Sequence, residues 1–202
     1  MKKIIIAIDS FKGCLTSAEA GKAAEKGIKS INPSCHTSVI PIADGGEGLL
    51  DVLITATKGK YITLSAHGPL MKMAKTHYGL SGNGRTAIIE MAAISGLPLV
   101  PIEQRNPMLT TTFGTGELIK DALNKGCRNF IIGIGGSATN DAGLGMLQAL
   151  GFRFLDKSGH TLGTGGQIME AVANIDTSGI HPALKETHFM VACDVANPFY
   201  GP

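Results

Sequence analysis

Short apolar runs, each handing over to a polar or glycine-bearing loop and then to helical periodicity, constrain the fold of this chain most strongly. Residues 4–8 are apolar throughout, which predicts a strand covered on both faces. They lead through Asp9-Ser-Phe-Lys-Gly13 to Thr16 and Glu19, at capping-box spacing, and to a stripe of Ala20, Ala23, Ala24, Gly27 and Ile28 that Asn32-Pro33 ends. A second strand over residues 38–42 runs into Ala43-Asp-Gly-Gly-Glu-Gly48, after which Leu49, Leu50, Leu53 and Ile54 return to helical spacing. Phe130, Ile131 and Ile132 begin a third such unit, followed by Gly133-Ile-Gly-Gly-Ser137 and by Leu144, Leu147 and Leu150. Strand, loop and helix in alternation define an α/β class.

Between residues 60 and 92 the pattern changes. Strands over 61–66, 71–80 and 86–91, with turn signals at Gly68-Pro69 and Asn83-Gly84, predict antiparallel pairing and the entry to a second domain. The expected division is residues 1–62, the first part of one α/β domain, and residues 63–202, a second, mixed α/β domain with antiparallel strands. Residues 95–113 carry Pro98, Pro101 and Pro107 and no period, and read as a functional loop. A helix over 117–125 follows, with Thr115 as its cap; short strands over 152–155 and 189–193 and a helix near 168–172 complete the pattern.

The 202 residues, 44% of them hydrophobic, suffice for one large or two small cores. A formal net charge of +2 without like-charged runs points to neither nucleic acid nor an anionic membrane, so the expected partner is small; a homo-oligomer is compatible with it. Cys14, Cys35, Cys127 and Cys193 show no C-x-x-C pair, which fits reduced thiols in a cytoplasm. The apolar run after Met1-Lys-Lys is too short for a signal peptide, and Asp9 ends it.

Candidate chemistry gathers where strands end. Gly133 to Ser137 match neither the Walker loop, which needs a terminal Gly-Lys-Ser/Thr, nor the dinucleotide fingerprint, which needs glycine where Ala138 stands. Yet glycines let a backbone approach an anion closely, and a helix start offers unpaired amides, so Gly133, Gly135, Gly136 and Ser137 are candidates for a phosphate cradle. The competing reading is a tight connection in which Gly135 takes positive φ and Ser137 or Thr139 caps a helix. Gly114, Thr115 and Gly116 form a second glycine-bearing helix start, a further cradle or a compact cap. Asp44 and Glu47 suit Mg²⁺ or substrate hydroxyls, or shape a turn and a helix start. Asp9, Ser10 and Lys12 lie at the same kind of sheet edge, where an ammonium can pair with a carboxylate or phosphate. Asp141 serves either a metal or a helix dipole, and Asp194, just past an apolar strand, has less structural reason to be there. The histidines lack zinc spacing, and the absence of G-x-S-x-G argues against a serine hydrolase.

Taken together, Asp9-Ser-Phe-Lys-Gly13, Ala43-Asp-Gly-Gly-Glu-Gly48, Glu90-Met-Ala-Ala93, Asn106-Pro107, Thr111-Thr-Phe-Gly-Thr-Gly-Glu117, Gly133-Ile-Gly-Gly-Ser-Ala-Thr-Asn-Asp141 and Asp194-Val-Ala-Asn-Pro198 closely resemble the bacterial type 1 glycerate kinase family. The resemblance implies ATP-dependent phosphorylation of D-glycerate, most simply at the 2-hydroxyl, with Mg²⁺, by two different α/β domains, one flavodoxin-like with a Rossmann-like parallel sheet. Members of that family are commonly longer, so the 202 residues correspond to the N-terminal half or slightly more, and weak or no activity is expected of this piece alone.

Phosphoryl transfer asks for a phosphate cradle, charge neutralisation and a carboxylate to take the hydroxyl proton. The expected assignment puts phosphates on Gly133, Gly135, Gly136 and Ser137, with Gly114, Thr115 and Gly116 assisting. Lys12 binds the glycerate carboxylate or the moving phosphoryl group, and Asp44 or Asp194 acts as base or metal ligand, with Asp141 a further metal candidate. Asp9, Ser10, Glu47 and Asn197 contact substrate. A nicotinamide-dependent oxidoreductase, using the glycine bend for a pyrophosphate, and a non-catalytic phosphometabolite-binding module are the alternatives.

Overall fold

The computed structural model describes residues 3–11, 13–43, 46 and 48–193. Lys12, Asp44, Glu47, Asp194 and Asn197 of the expected site lie outside the described residues.

Strand β1 (Lys3–Ile6) pairs in parallel with β2 (His36–Val39). Helix α1 (Ser17–Ile31) joins them. Its start is the predicted capping box: the Thr16 hydroxyl accepts from the Glu19 amide while the Glu19 carboxylate accepts from the Thr16 amide at 2.8 Å. Only Ser17, Ala20 and Gly21 of the helix are buried, so Ala23 and Gly27 do not belong to the inward stripe. A Cβ at Gly21 would collide with Val39, and this close approach is what lets α1 lie on β2. The expectation that β1 is covered on both faces is not met. Ile5 is 60% exposed, because β1 has one described strand neighbour and one covering helix.

Helix α2 (Leu49–Thr57) packs its buried Leu50 and Ile54 against Ile88 of the main sheet, each such burial being worth about 1.5–3 kcal/mol. The main sheet has the order β3 (Lys60–His67), β4 (Met73–Leu80), β5 (Thr86–Glu90), β6 (Asn129–Gly133), β9 (His188–Ala192). The first three strands are antiparallel, as the turn signals predict, and β5, β6 and β9 are parallel. Strand β9 closes the described sheet at an edge, which leaves Met190 65% exposed despite its apolar run.

A single turn of helix, α3 (Ala92–Ser95), follows β5. The proline-rich stretch contains two 3₁₀ turns, Leu97–Leu99 and Ile102–Gln104, and is otherwise loop. Helix α4 (Phe113–Asn124) begins four residues before the expected 117. Thr115 is therefore inside its first turn and buried, with its hydroxyl on that of Ser95 at 2.8 Å, and is not the cap. After β6 the chain turns through residues 134–143 before α5 (Leu144–Ala149) forms, so the helix does not start on the glycine bend. A small hairpin of β7 (Arg153–Leu155) and β8 (Asn174–Asp176), with 3₁₀ segments at Gly166–Ala171 and Pro182–Glu186, leads to β9. The core lies between the sheet and α4, with Tyr78, Ile89, Ile94, Leu118, Ile119 and Phe130 at its centre.

Candidate functional site

A cavity of about 390 Å³ opens beside the C-terminal ends of β1, β2 and β5, the end where α/β sheets bind ligands. Ser10, Phe11 and Gly13, the described neighbours of Lys12, line one side, and Gly48, Leu50 and Asp51 line another. Two hydrogen bonds fix this arrangement. The buried Ser17 hydroxyl donates to Ile8 O at 2.6 Å and accepts from the Ile42 amide at 3.0 Å, tying the loops that leave β1 and β2. Asp9 is drawn back onto its own backbone, its Oδ1 accepting from the Ser10 amide at 2.6 Å.

Glu90, the last residue of β5, faces the same cavity. Its Oε1 accepts from the Leu50 amide at 2.8 Å, at the start of α2, where a negative charge is favourable. Burial pushes the Glu90 carboxyl above its ordinary range, opposed by hydrogen bonds from the Leu50 and Gly48 amides. Glu90 thus fastens the helix that follows the 43–48 loop to the edge of the sheet. Asp51 and His77 also line the cavity. The Tyr61 hydroxyl donates to Asp51 at 2.5 Å, and that bond raises the tyrosine to about 12. Sequence reading singled out Glu90 only within the motif Glu90-Met-Ala-Ala93, without a role, and missed Asp51 and His77. A lone carboxylate closing the apolar run Ile88-Ile89 was a further signal for Glu90.

Glu90 is in register with Gly133 on β6, so the glycine loop leaves the sheet beside it. Gly136, not Gly135, takes the positive φ, at +72°. The loop is held by Leu97 donating to Gly136 O at 3.0 Å and Ala138 donating to Ser95 O at 2.9 Å. Gly135 and Gly136 are exposed, and among the described residues the amides of Gly135, Gly136 and Ser137 donate to no protein acceptor. Ser137 and Thr139 do not cap a helix; their hydroxyls bond each other at 2.7 Å.

Gly114 and Gly116 occupy a different setting. Both are buried, and a Cβ would collide with His67 O at Gly114 and with Met146 O at Gly116. The start of α4 already holds an anion: buried Asp141 accepts from the Thr112 amide at 2.8 Å and from the hydroxyls of Thr111 and Thr112. It also accepts from the amides of Gly143 at 3.0 Å and Gly145 at 3.2 Å at the start of α5. Among the described residues no group of three or more His, Cys, Asp or Glu is placed to hold a metal ion, and no helix is long and apolar enough to cross a membrane. No disulfide joins any two cysteines among the described residues, and Cys35 and Cys127 are buried.

Parallel and antiparallel strands in one sheet, with helices packed against it, define a mixed α/β protein. The chain belongs to the glycerate kinase family, whose model matches residues 4–202. It is 53% identical over 200 residues to the glycerate kinase of Bacillus subtilis (strain 168), an alignment covering 99% of this chain and 52% of that protein. It is 50% identical over 199 residues to the glycerate 2-kinase of Escherichia coli (strain K12), covering 98% and 52%. A crystal structure assigned to glycerate kinase 2 of Salmonella typhimurium LT2 superimposes with a TM-score of 0.88 at 48% identity, covering 99% of this chain and 54% of that one. The chain thus spans about half the length of the relatives it matches.

Proposed function

We propose that the protein to which this chain belongs is a glycerate kinase that transfers the γ-phosphoryl group of ATP to D-glycerate, forming 2-phosphoglycerate, in the cytoplasm. One observation supports this reading above the others: family membership over residues 4–202 coincides with unpaired amides at Gly135, Gly136 and Ser137 next to a cavity sized for a small acid. A nicotinamide fingerprint would need glycine at Ala138, and the relatives named above are kinases.

In this reading the unpaired amides of residues 135–137 bind phosphate oxygens, and Ser10 binds the glycerate in the cavity described above with Asp9, Glu47 and Asn197. Lys12, whose chain neighbours Phe11 and Gly13 line that cavity, pairs with the glycerate carboxylate or the phosphoryl group. Asp44 or Asp194 accepts the proton of the attacking hydroxyl. Mg²⁺, when bound with ATP, supplies charge neutralisation, and Asp44 is the carboxylate proposed to hold it. The described residues fit the nucleotide through the free amides. Asp141, its oxygens filled by backbone and hydroxyl donors, serves as an internal anchor and not as a metal ligand. Gly114 and Gly116 serve close packing, and Thr115 bonds Ser95 inside the core.

The test is product analysis by phosphorus NMR with the protein at its natural length, ATP and D-glycerate. A 2-phosphoglycerate resonance growing with ADP is expected. Lys12→Ala and Asp194→Asn each lower turnover about 100- to 1000-fold. Unchanged ATP, or near-normal turnover in both variants, refutes the assignment.

A further inference from the structure

A second cavity, of about 230 Å³, is lined in part by the glycine loop through Ser137, Ala138 and Thr139. Its walls include Val100, Arg105, Asn106, Ser137 and Thr139. It differs in charge from the first. The larger cavity is lined by Glu19, Asp51 and Glu90, which repel a polyphosphate; among the described residues no carboxylate lines the smaller one, and it contains an arginine.

That arginine is held but not neutralised. Arg105 Nε donates to Val100 O at 3.3 Å, which fixes the plane of the guanidinium. Among the described residues it forms no ion pair, so its two terminal nitrogens keep their donors for a ligand. A surface arginine is ordinarily just solvated, but the walls here are tied together from several directions. The buried Thr110 hydroxyl donates to Ala138 O at 2.7 Å, joining the segment after Arg105 to the glycine loop. The Gln167 backbone amide donates to Met108 O at 2.9 Å and ties that segment to a further loop. The paired Ser137 and Thr139 hydroxyls line the same cavity as Arg105, and the unpaired amides of residues 135–137 belong to the same loop.

We propose that this cavity is an oxyanion subsite in which Arg105, with the Ser137 and Thr139 hydroxyls, binds the polyphosphate of the nucleotide. A fixed guanidinium offers the paired donors that suit phosphate oxygens, and the hydroxyls accept or donate as the ligand requires. The identity of the ligand rests on the kinase reading; the preference for an oxyanion rests on the cavity itself. The carboxylate of glycerate shares that chemistry, so the test separates the two sources.

ATP is titrated by calorimetry into the natural-length protein and into Arg105→Ala and Arg105→Lys, and the KM values for ATP and for D-glycerate are measured in each. Arg105→Ala is expected to weaken ATP binding and raise its KM about tenfold or more, with the glycerate KM within about twofold and Arg105→Lys intermediate. Thermal melting checks the fold, and Arg105→Gln replaces the alanine variant if that one melts early. Equal ATP affinity in wild type and variant overturns the proposal, as does a rise confined to the glycerate KM or a wild-type protein that binds no ATP. Arginine-dependent ATP binding without glycerate phosphorylation leaves the subsite standing and removes the kinase reading instead.

Discussion

The backbone amide of Thr112 donates to the carboxylate of Asp141 at 2.8 Å, across 29 positions of sequence. Through this bond and those to Gly143 and Gly145, one buried carboxylate closes the starts of both α4 and α5. Each helix presents unpaired amides at that end, and the shared anion satisfies several of them at once. Asp141→Ala leaves those donors buried without an acceptor and is expected to cost about 3 kcal/mol or more of stability in urea unfolding. Asp141→Asn, which keeps one acceptor oxygen, is expected to lose about half as much. Neither variant is expected to alter Mg²⁺ affinity, since no lone pair of Asp141 is left to face a site.

Gly114 and Gly116 are expected to behave as packing residues. Alanine at either position drives a methyl group into a backbone carbonyl, of His67 or of Met146, and a loss of about 1–3 kcal/mol or more follows. Gly163, with open space around its α-carbon, is the control and is expected to tolerate alanine within about 0.5 kcal/mol. Comparable stability in all three variants contradicts the packing role.

Glu90 gives a pH signature. Its folded carboxyl lies above the ordinary value of 4.5, so between that value and the raised one the folded state holds a proton that the unfolded chain has released. The contribution of Glu90 to stability is therefore full below 4.5 and is lost as pH rises through the folded value. Urea midpoints followed against pH are expected to fall for wild type relative to Glu90→Gln across that window. A difference that is flat with pH contradicts the assignment.

Much of the fold is legible in local pattern, and what escapes is long-range. Thr16 and Glu19 carry their capping box within a single turn, and Asn83-Gly84 places the β4–β5 turn, with Gly84 at φ +69°. Leu144, Leu147 and Leu150 announce a helix but not its start, which Asp141 sets by bonding to residues on another helix. Residues 4–8 read as a doubly covered strand because apolar composition records an affinity for burial and not which neighbours are present. In the site, the glycine loop was visible through its glycines, whereas Arg105 and Glu90 join it only through tertiary packing.

The central claim is that the anionic tail of ATP rests on the free amides of the glycine loop. It is tested most directly by titrating ATP into protein labelled with ¹⁵N-glycine and ¹⁵N-serine. The amide resonances of Gly135, Gly136 and Ser137 are expected to move downfield and saturate, while those of Gly114 and Gly116 stay in place. Movement at Gly114 and Gly116 with a silent glycine loop contradicts the account.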